Sequence, residues 1–301
     1  MAPKTPKSHA PKPPLSVADQ VALLVGRGLE LGSGDREALA RLLADNSYAR
    51  LVPYWRPFQV DPARGDKTFR PGTTVAQIAN IYQFDSRLRA AAARGLEVFE
   101  VTLRARLGEE LAAAGLAYAY LDPTAYAPPA RRGGDLRQDL VDAMGRELER
   151  TKEPFVARHA QAGQTPPSWA AMGVFTPGTV SKMYRLLADQ AARARVARSF
   201  GYPDARFAAN TFHSLTVLRN IAAHHSRLWH RADIQYAPPV LKRLQTDPDK
   251  RVYQRTPWAW LTVLADLVDQ VRRDTRYSEA LWRLATSRPE YIDGLKRPCG
   301  A

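Results

Sequence analysis

The side chains in this chain that could do chemistry gather in one run, Leu218 to Arg231, reading Leu-Arg-Asn-Ile-Ala-Ala-His-His-Ser-Arg-Leu-Trp-His-Arg. Three of its fourteen positions are Arg and three are His, half of the six His in the whole chain. An imidazole with an ordinary pKa of about 6.5 gives or takes a proton at neutral pH, and a guanidinium forks two hydrogen bonds onto a phosphate. Together they suit chemistry at a phosphodiester. A structural use of the same residues is the competing explanation: His225 and His230 also fit packing or surface roles, and Arg227 and Arg231 also fit ion pairs with carboxylates.

Such residues need an element to hold them. The run has no Pro or Gly, and Leu218, Ile221, Ala222, Leu228 and Trp229 supply an apolar side, so the spacing predicts one amphipathic helix over 218–231. Asn220, His224, Arg227 and Arg231 then form a stripe on its other side, with Arg219 one position away and long enough to reach back toward His224. Upstream, the clearest helical period covers 84–107, with Leu88, Ala92, Leu96, Phe99, Leu103 and Leu107 inward. Glu100 and Arg104 lie beside that stripe. They fit either an intrahelical ion pair or a network that orients Arg219 or His224 from behind.

The rest of the chain reads as further helices. Ser16 with Asp19 forms a capping box before a first helix, and a second covers about 35–45. The stretch 59–71 reads as a loop, and 107–120 and 135–158 hold helical signals. Pro238-Pro239 breaks the pattern after the motif, and 257–273, 278–287 and 289–295 look helical. No segment shows sustained period-two alternation, which makes the fold class all-α. Residues 1–14 are expected to be a disordered basic tail. One domain is expected over 15–301, with the helices of 237–301 packing on it.

Of 301 residues, 45% are hydrophobic, enough for a full core. The single cysteine, Cys299, excludes an internal disulfide and any cysteine-rich metal site. No HExxH pattern or other metal-ligand spacing is present, so neither a metal nor a cofactor is expected. Without a signal-peptide pattern or a run of 18 apolar residues, the expected place is the cytoplasm, away from membranes. The formal charge is +14, from 44 basic and 30 acidic residues. Between Ser181 and Tyr236, nine basic side chains face three acidic ones, a local +6 that includes Lys182 and Arg185 as well as the motif. Such a patch favours a polyanionic partner.

The motif resembles the Arg-(four to six residues)-His signature of HEPN-domain ribonucleases. The longer string looks like that of abortive-infection proteins of the AbiD/AbiF type, bacterial phage-defence proteins with a HEPN-like helical bundle. Asn46 to Phe58, Phe84 to Arg104 and Pro167 to Ser181 resemble further elements of that family, which together span about 15–235. Gly173 and Pro177 depart from its pattern, which more often has an acidic and an aromatic residue there. The resemblance implies a metal-independent endoribonuclease toxin that uses the 2′-hydroxyl of RNA as nucleophile. In that reading His224 moves the proton, Arg219 stabilises charge on the phosphate and Asn220 orients either group. Arg227, Arg231, His225, Lys182 and Arg185 would contact RNA, and Glu100 and Arg104 would support the site from behind. It further implies a homodimer, RNA partners such as tRNA, mRNA or a small regulatory RNA, and restraint by an antitoxin RNA or protein. A non-catalytic RNA-binding module and an RNA-regulated toxin component are the alternatives.

Overall fold

In a computed structural model the described residues are 13–128 and 135–299. They form thirteen α-helices and one small hairpin, the predominantly helical architecture that the absence of period-two alternation predicts. The tail expected over 1–14 falls, apart from Pro13 and Pro14, outside the described residues. Contacts divide the chain into two compact units, one ending at Phe84 and one beginning at Asp85.

In the first unit, α1 (Val17–Gly26) opens on the Ser16–Asp19 capping box, each side chain bonded to the other residue's backbone N–H. Helices α2 (Asp35–Asn46) and α3 (Tyr48–Trp55) follow. The segment expected as a loop over 59–71 contains an antiparallel hairpin, β1 (Gln59–Asp61) with β2 (Asp66–Phe69). Strands of three and four residues are too short to show a readable alternation. The aromatic string is core: Trp55 packs edge-on against Tyr48, and Tyr54 against Tyr82, both with ring centroids 5.0 Å apart.

Helix α4 (Val75–Ala113) begins in the first unit and continues through the second without a break, absorbing part of the separate helix expected over 107–120. Then come α5 (Leu136–Arg150) and α6 (Pro154–Gln161). They replace the single helix predicted over 135–158, because Pro154 disfavours helical geometry in the residue before it. The short α7 (Ser168–Ala171) precedes α8 (Pro177–Leu186), α9 (Gln190–Ser199) and α10 (Ala205–Ala223). The chain closes with α11 (Pro257–Arg272), α12 (Arg276–Ala285) and α13 (Pro289–Lys296). Helix α10 is the centre of this unit, packed by α8, α9 and α11. Its Phe212 is fully buried against Phe99 of α4, Tyr184 of α8 and Phe200. Burial of such a ring contributes about 2–3 kcal/mol and fixes α10 against α4, whose side chains meet the motif. Among the described residues no helix is long and apolar enough to cross a membrane.

Candidate functional site

The motif is the end of a helix and the loop that leaves it, and this corrects the helix predicted over 218–231. Helix α10 stops at Ala223, His224 caps it, and His225 takes the left-handed conformation at φ 55°. The His225 N–H donates to Ala222 O and the Ser226 N–H to Ile221 O, at 3.1 and 2.9 Å. This is a Schellman ending, usually built on Gly; His is one of the few other residues that tolerate the left-handed region. The stripe of Asn220, His224, Arg227 and Arg231 therefore does not exist as a helix face. Leu228 and Trp229 are buried as their apolar character requires, but from the loop.

A buried carboxylate anchors that loop. Asp85, fully buried near the start of the second unit, accepts from the backbone N–H of Leu228 at 3.1 Å and of Trp229 at 2.8 Å. Arg89, one turn further along α4 and also buried, pairs with the same carboxylate. The bonds Asp85 offers these amides replace the helical bonds that the predicted helix would have made. The Trp229 indole N–H donates to Glu290 O at 3.1 Å, and its ring leaves no room at Gly294, where an added Cβ would meet Nε1 at 2.0 Å.

At the end of α10 the two parts of the proposed pair are held differently. Arg219 donates through Nε to Glu100 Oε1 at 2.8 Å, and its Nη groups have no protein partner among the described residues. Glu100 also faces Arg104, but at 3.5 Å, so the interhelical contact is the shorter one. Arg104 is fixed in turn by a 3.0 Å bond from Nη2 to Phe175 O. His224 and Asn220 are exposed, and neither side chain bonds to another described residue. Beside them lies an open groove of about 330 Å³, lined by Leu96, Glu100, Val101, Arg219, Ala222 and Ala223 among others.

The remaining candidates divide. Arg231 turns back onto its own loop, with Nη1 bonded to Arg227 O and Nη2 to Asp233, and its side chain is only 22% exposed. Arg227 is half-buried and His225 exposed. Lys182 and Arg185, on α8, are exposed and make no bond to a described residue. Pro177 is the first residue of α8, where a missing N–H is no loss, and Gly173 lies in the turn before it.

His230 is buried and structural. Its N–H donates to Gly294 O at 2.8 Å, and its Nδ1 accepts from the Cys299 N–H at 3.1 Å. Burial pushes its pKa down to about 4, with Arg227 adding to the effect and Asp293 opposing it. The folded protein therefore binds fewer protons than the unfolded chain between about pH 6.5 and about 4. The contribution is fully present above the upper value and drains away as pH falls through the lower one. At most about 3 kcal/mol is at stake. Urea midpoints of the wild type should fall over that window more steeply than those of His230→Gln; parallel profiles would show that the ring is not held neutral.

Sequence reasoning passed over Asp85 and Arg89, although a signal was present. Asp85 lies three and seven residues before Leu88 and Ala92, in line with the apolar stripe of α4, and a charge in that register marks a buried pair. Residues 41–230 match the model of a protein family described as Abi-like protein. No curated protein and no solved structure matches the chain.

Proposed function

Because the chain belongs to the Abi-like family and its role is therefore abortive infection in defence against phage, we propose that it fills that role as a metal-independent endoribonuclease. The observation that carries this reading is the end of α10. Arg219 is clamped by Glu100 through Nε, its Nη groups meet no partner among the described residues, and His224 and Asn220, whose side chains bond to none of those residues either, close the same helix. A guanidinium held at one edge is already oriented to receive a phosphate at the other.

In the reaction, a base takes the proton of the RNA 2′-hydroxyl, whose oxygen attacks the adjacent phosphorus. The 5′-oxygen leaves with a proton from an acid, giving a 2′,3′-cyclic phosphate and a 5′-hydroxyl. Arg219 stabilises the charge that grows on the phosphoryl oxygens, Asn220 orients it and His224 handles a proton. The exposed Lys182 and Arg185 hold the strand; Arg227 and His225 act at its edge, and Arg231 serves mainly to shape the loop. Transfer RNA, mRNA and a small regulatory RNA fit as substrates, with an antitoxin RNA or protein as the restraint before infection.

Two proton transfers need two groups, and one protomer supplies one candidate at the end of α10, His224. A two-fold axis beside α10 would pair two His224 and two Arg219. The groove beside them supports such a homodimer, since its apolar lining continues into Val101, which is 60% exposed. An interface of roughly 1,200–2,000 Å² is ordinary for this purpose.

Incubation of the purified protein with total RNA in EDTA should yield fragments with 5′-hydroxyl ends. Binding without cleavage would turn the reading toward a non-catalytic RNA-binding module. Light scattering should give twice the chain mass, and specific activity should fall on dilution. Undiminished activity of a monomer would remove the shared site.

A further inference from the structure

One surface feature of the second unit is used by none of this. Tyr236, in the loop beyond the motif, is 51% exposed. Its backbone is nevertheless fixed: Ser214 Oγ donates to Tyr236 O at 2.6 Å while accepting from the Trp260 indole N–H at 2.7 Å. Both Ser214 and Trp260 are buried. The ring itself stands edge-on against His213 of α10, with centroids 4.5 Å apart and planes at 78°. An exposed ring on an anchored backbone needs little further ordering when something stacks on it.

The charges around the pair have one sign. Lys182 and Arg185 are close enough to His213 to help burial lower its pKa, so the imidazole is a neutral ring at pH 7 and the two α8 side chains carry the charge. The nearby carboxylate of Asp233 is taken by Arg231. An uncharged aromatic pair with one ring exposed, beside cations that bond to no described residue, is a combination by which proteins hold single-stranded nucleic acid: bases stack and phosphates are neutralised. Position agrees with this. His213, Val217 and Asn220 follow one another at four and three residues along one ridge of α10, which ends at His224. At 1.5 Å per residue, His213 lies about 10 Å from Asn220 and about 16 Å from His224 along the axis.

We propose that His213 and Tyr236, flanked by Lys182 and Arg185, form a stacking platform for an unpaired nucleobase of the RNA strand whose phosphate lies at Arg219 and His224. The inference rests on the ribonuclease reading for its ligand, and it adds a requirement which that reading does not make: the strand is single, because a duplex hides its base faces. The platform selects unpaired RNA, so hairpin loops and ends would be cut before stems.

The test uses the full chain carrying His224→Ala, so that RNA stays intact, and a short labelled single-stranded RNA of mixed sequence beside its duplex form. Adding Tyr236→Ala should weaken single-strand binding about tenfold, the effect of losing one stacked base. Tyr236→Trp should restore it, and the duplex should be bound equally by all three proteins. The salt slope should be unchanged by Tyr236→Ala and shallower with Lys182→Gln and Arg185→Gln. A protein that binds the single strand equally well with and without Tyr236 overturns the platform alone. Equal losses on strand and duplex overturn it too. Failure of the His224→Ala protein to bind either RNA at low salt overturns the ribonuclease reading with it.

Discussion

Arg219→Ala and His224→Ala each lower RNA cleavage by about 10²-fold or more, the size of one electrostatic or one acid–base contribution. Neither should disturb the fold. His224 is an exposed cap residue whose structural bond is made by its backbone, N–H to Asn220 O, which alanine keeps. Arg219 is 39% exposed, and its one bond among the described residues is the pair with Glu100. Removing a partly exposed pair of this kind changes stability by about 1 kcal/mol or less. Activity and melting temperature should therefore separate, activity collapsing while the melting temperature stays within a few degrees. His230→Ala should show the reverse, because that ring is buried away from the proposed chemistry. Equal activity losses for all three, with parallel falls in melting temperature, would make the motif a structural helix end and nothing more.

Asp85→Ala should destabilise the protein by about 3–5 kcal/mol, a large share of the 5–15 kcal/mol that holds a typical domain. The substitution removes the carboxylate that pairs with the buried Arg89 guanidinium and accepts from the Leu228 and Trp229 amides. The two losses can be told apart. Asp85→Leu with Arg89→Met removes both charges and should regain the ion-pair share, since apolar replacement of a buried pair is often neutral. It cannot return the two amide bonds. Chemical denaturation gives the stability, and amide exchange at 228 and 229 gives the state of the loop. A change below about 1 kcal/mol with both amides still protected would mean that the segment is held by its side chains, chiefly the buried Leu228 and Trp229.

Much of the helical architecture was legible because helix signals are local. The Ser16–Asp19 box, the long apolar stripe of α4 and the start of α11 at Pro257 all appear where spacing and capping put them. The course of the chain after Ala223 was not legible. Spacing alone allowed a helix through Arg231, and no Gly or Pro marked a stop. Past that end the chain is held by a carboxylate more than a hundred residues upstream, and a long-range bond to backbone leaves no trace in the local pattern. For the site, Arg219 with Glu100 could be suspected from charges beside apolar stripes, whereas Arg231, read as a phosphate contact, is occupied by Arg227 O and Asp233. His213 and Tyr236 were invisible as a pair because nothing in the spacing brings residue 236 back to the middle of α10.

The two carboxylates that α4 turns toward the motif differ in what they recognise, and this bears on how the sequence can drift. Glu100 grips a side chain, so a change there must be answered by a change at Arg219, and the two positions should vary together among descendants. Asp85 grips main-chain amides. Every residue but proline supplies that donor, so drift at 228 and 229 leaves Asp85 untouched, while Asp85 itself stays tied to Arg89. One helix thus carries a contact that is inherited as a matched pair and another that is inherited as a fixed point.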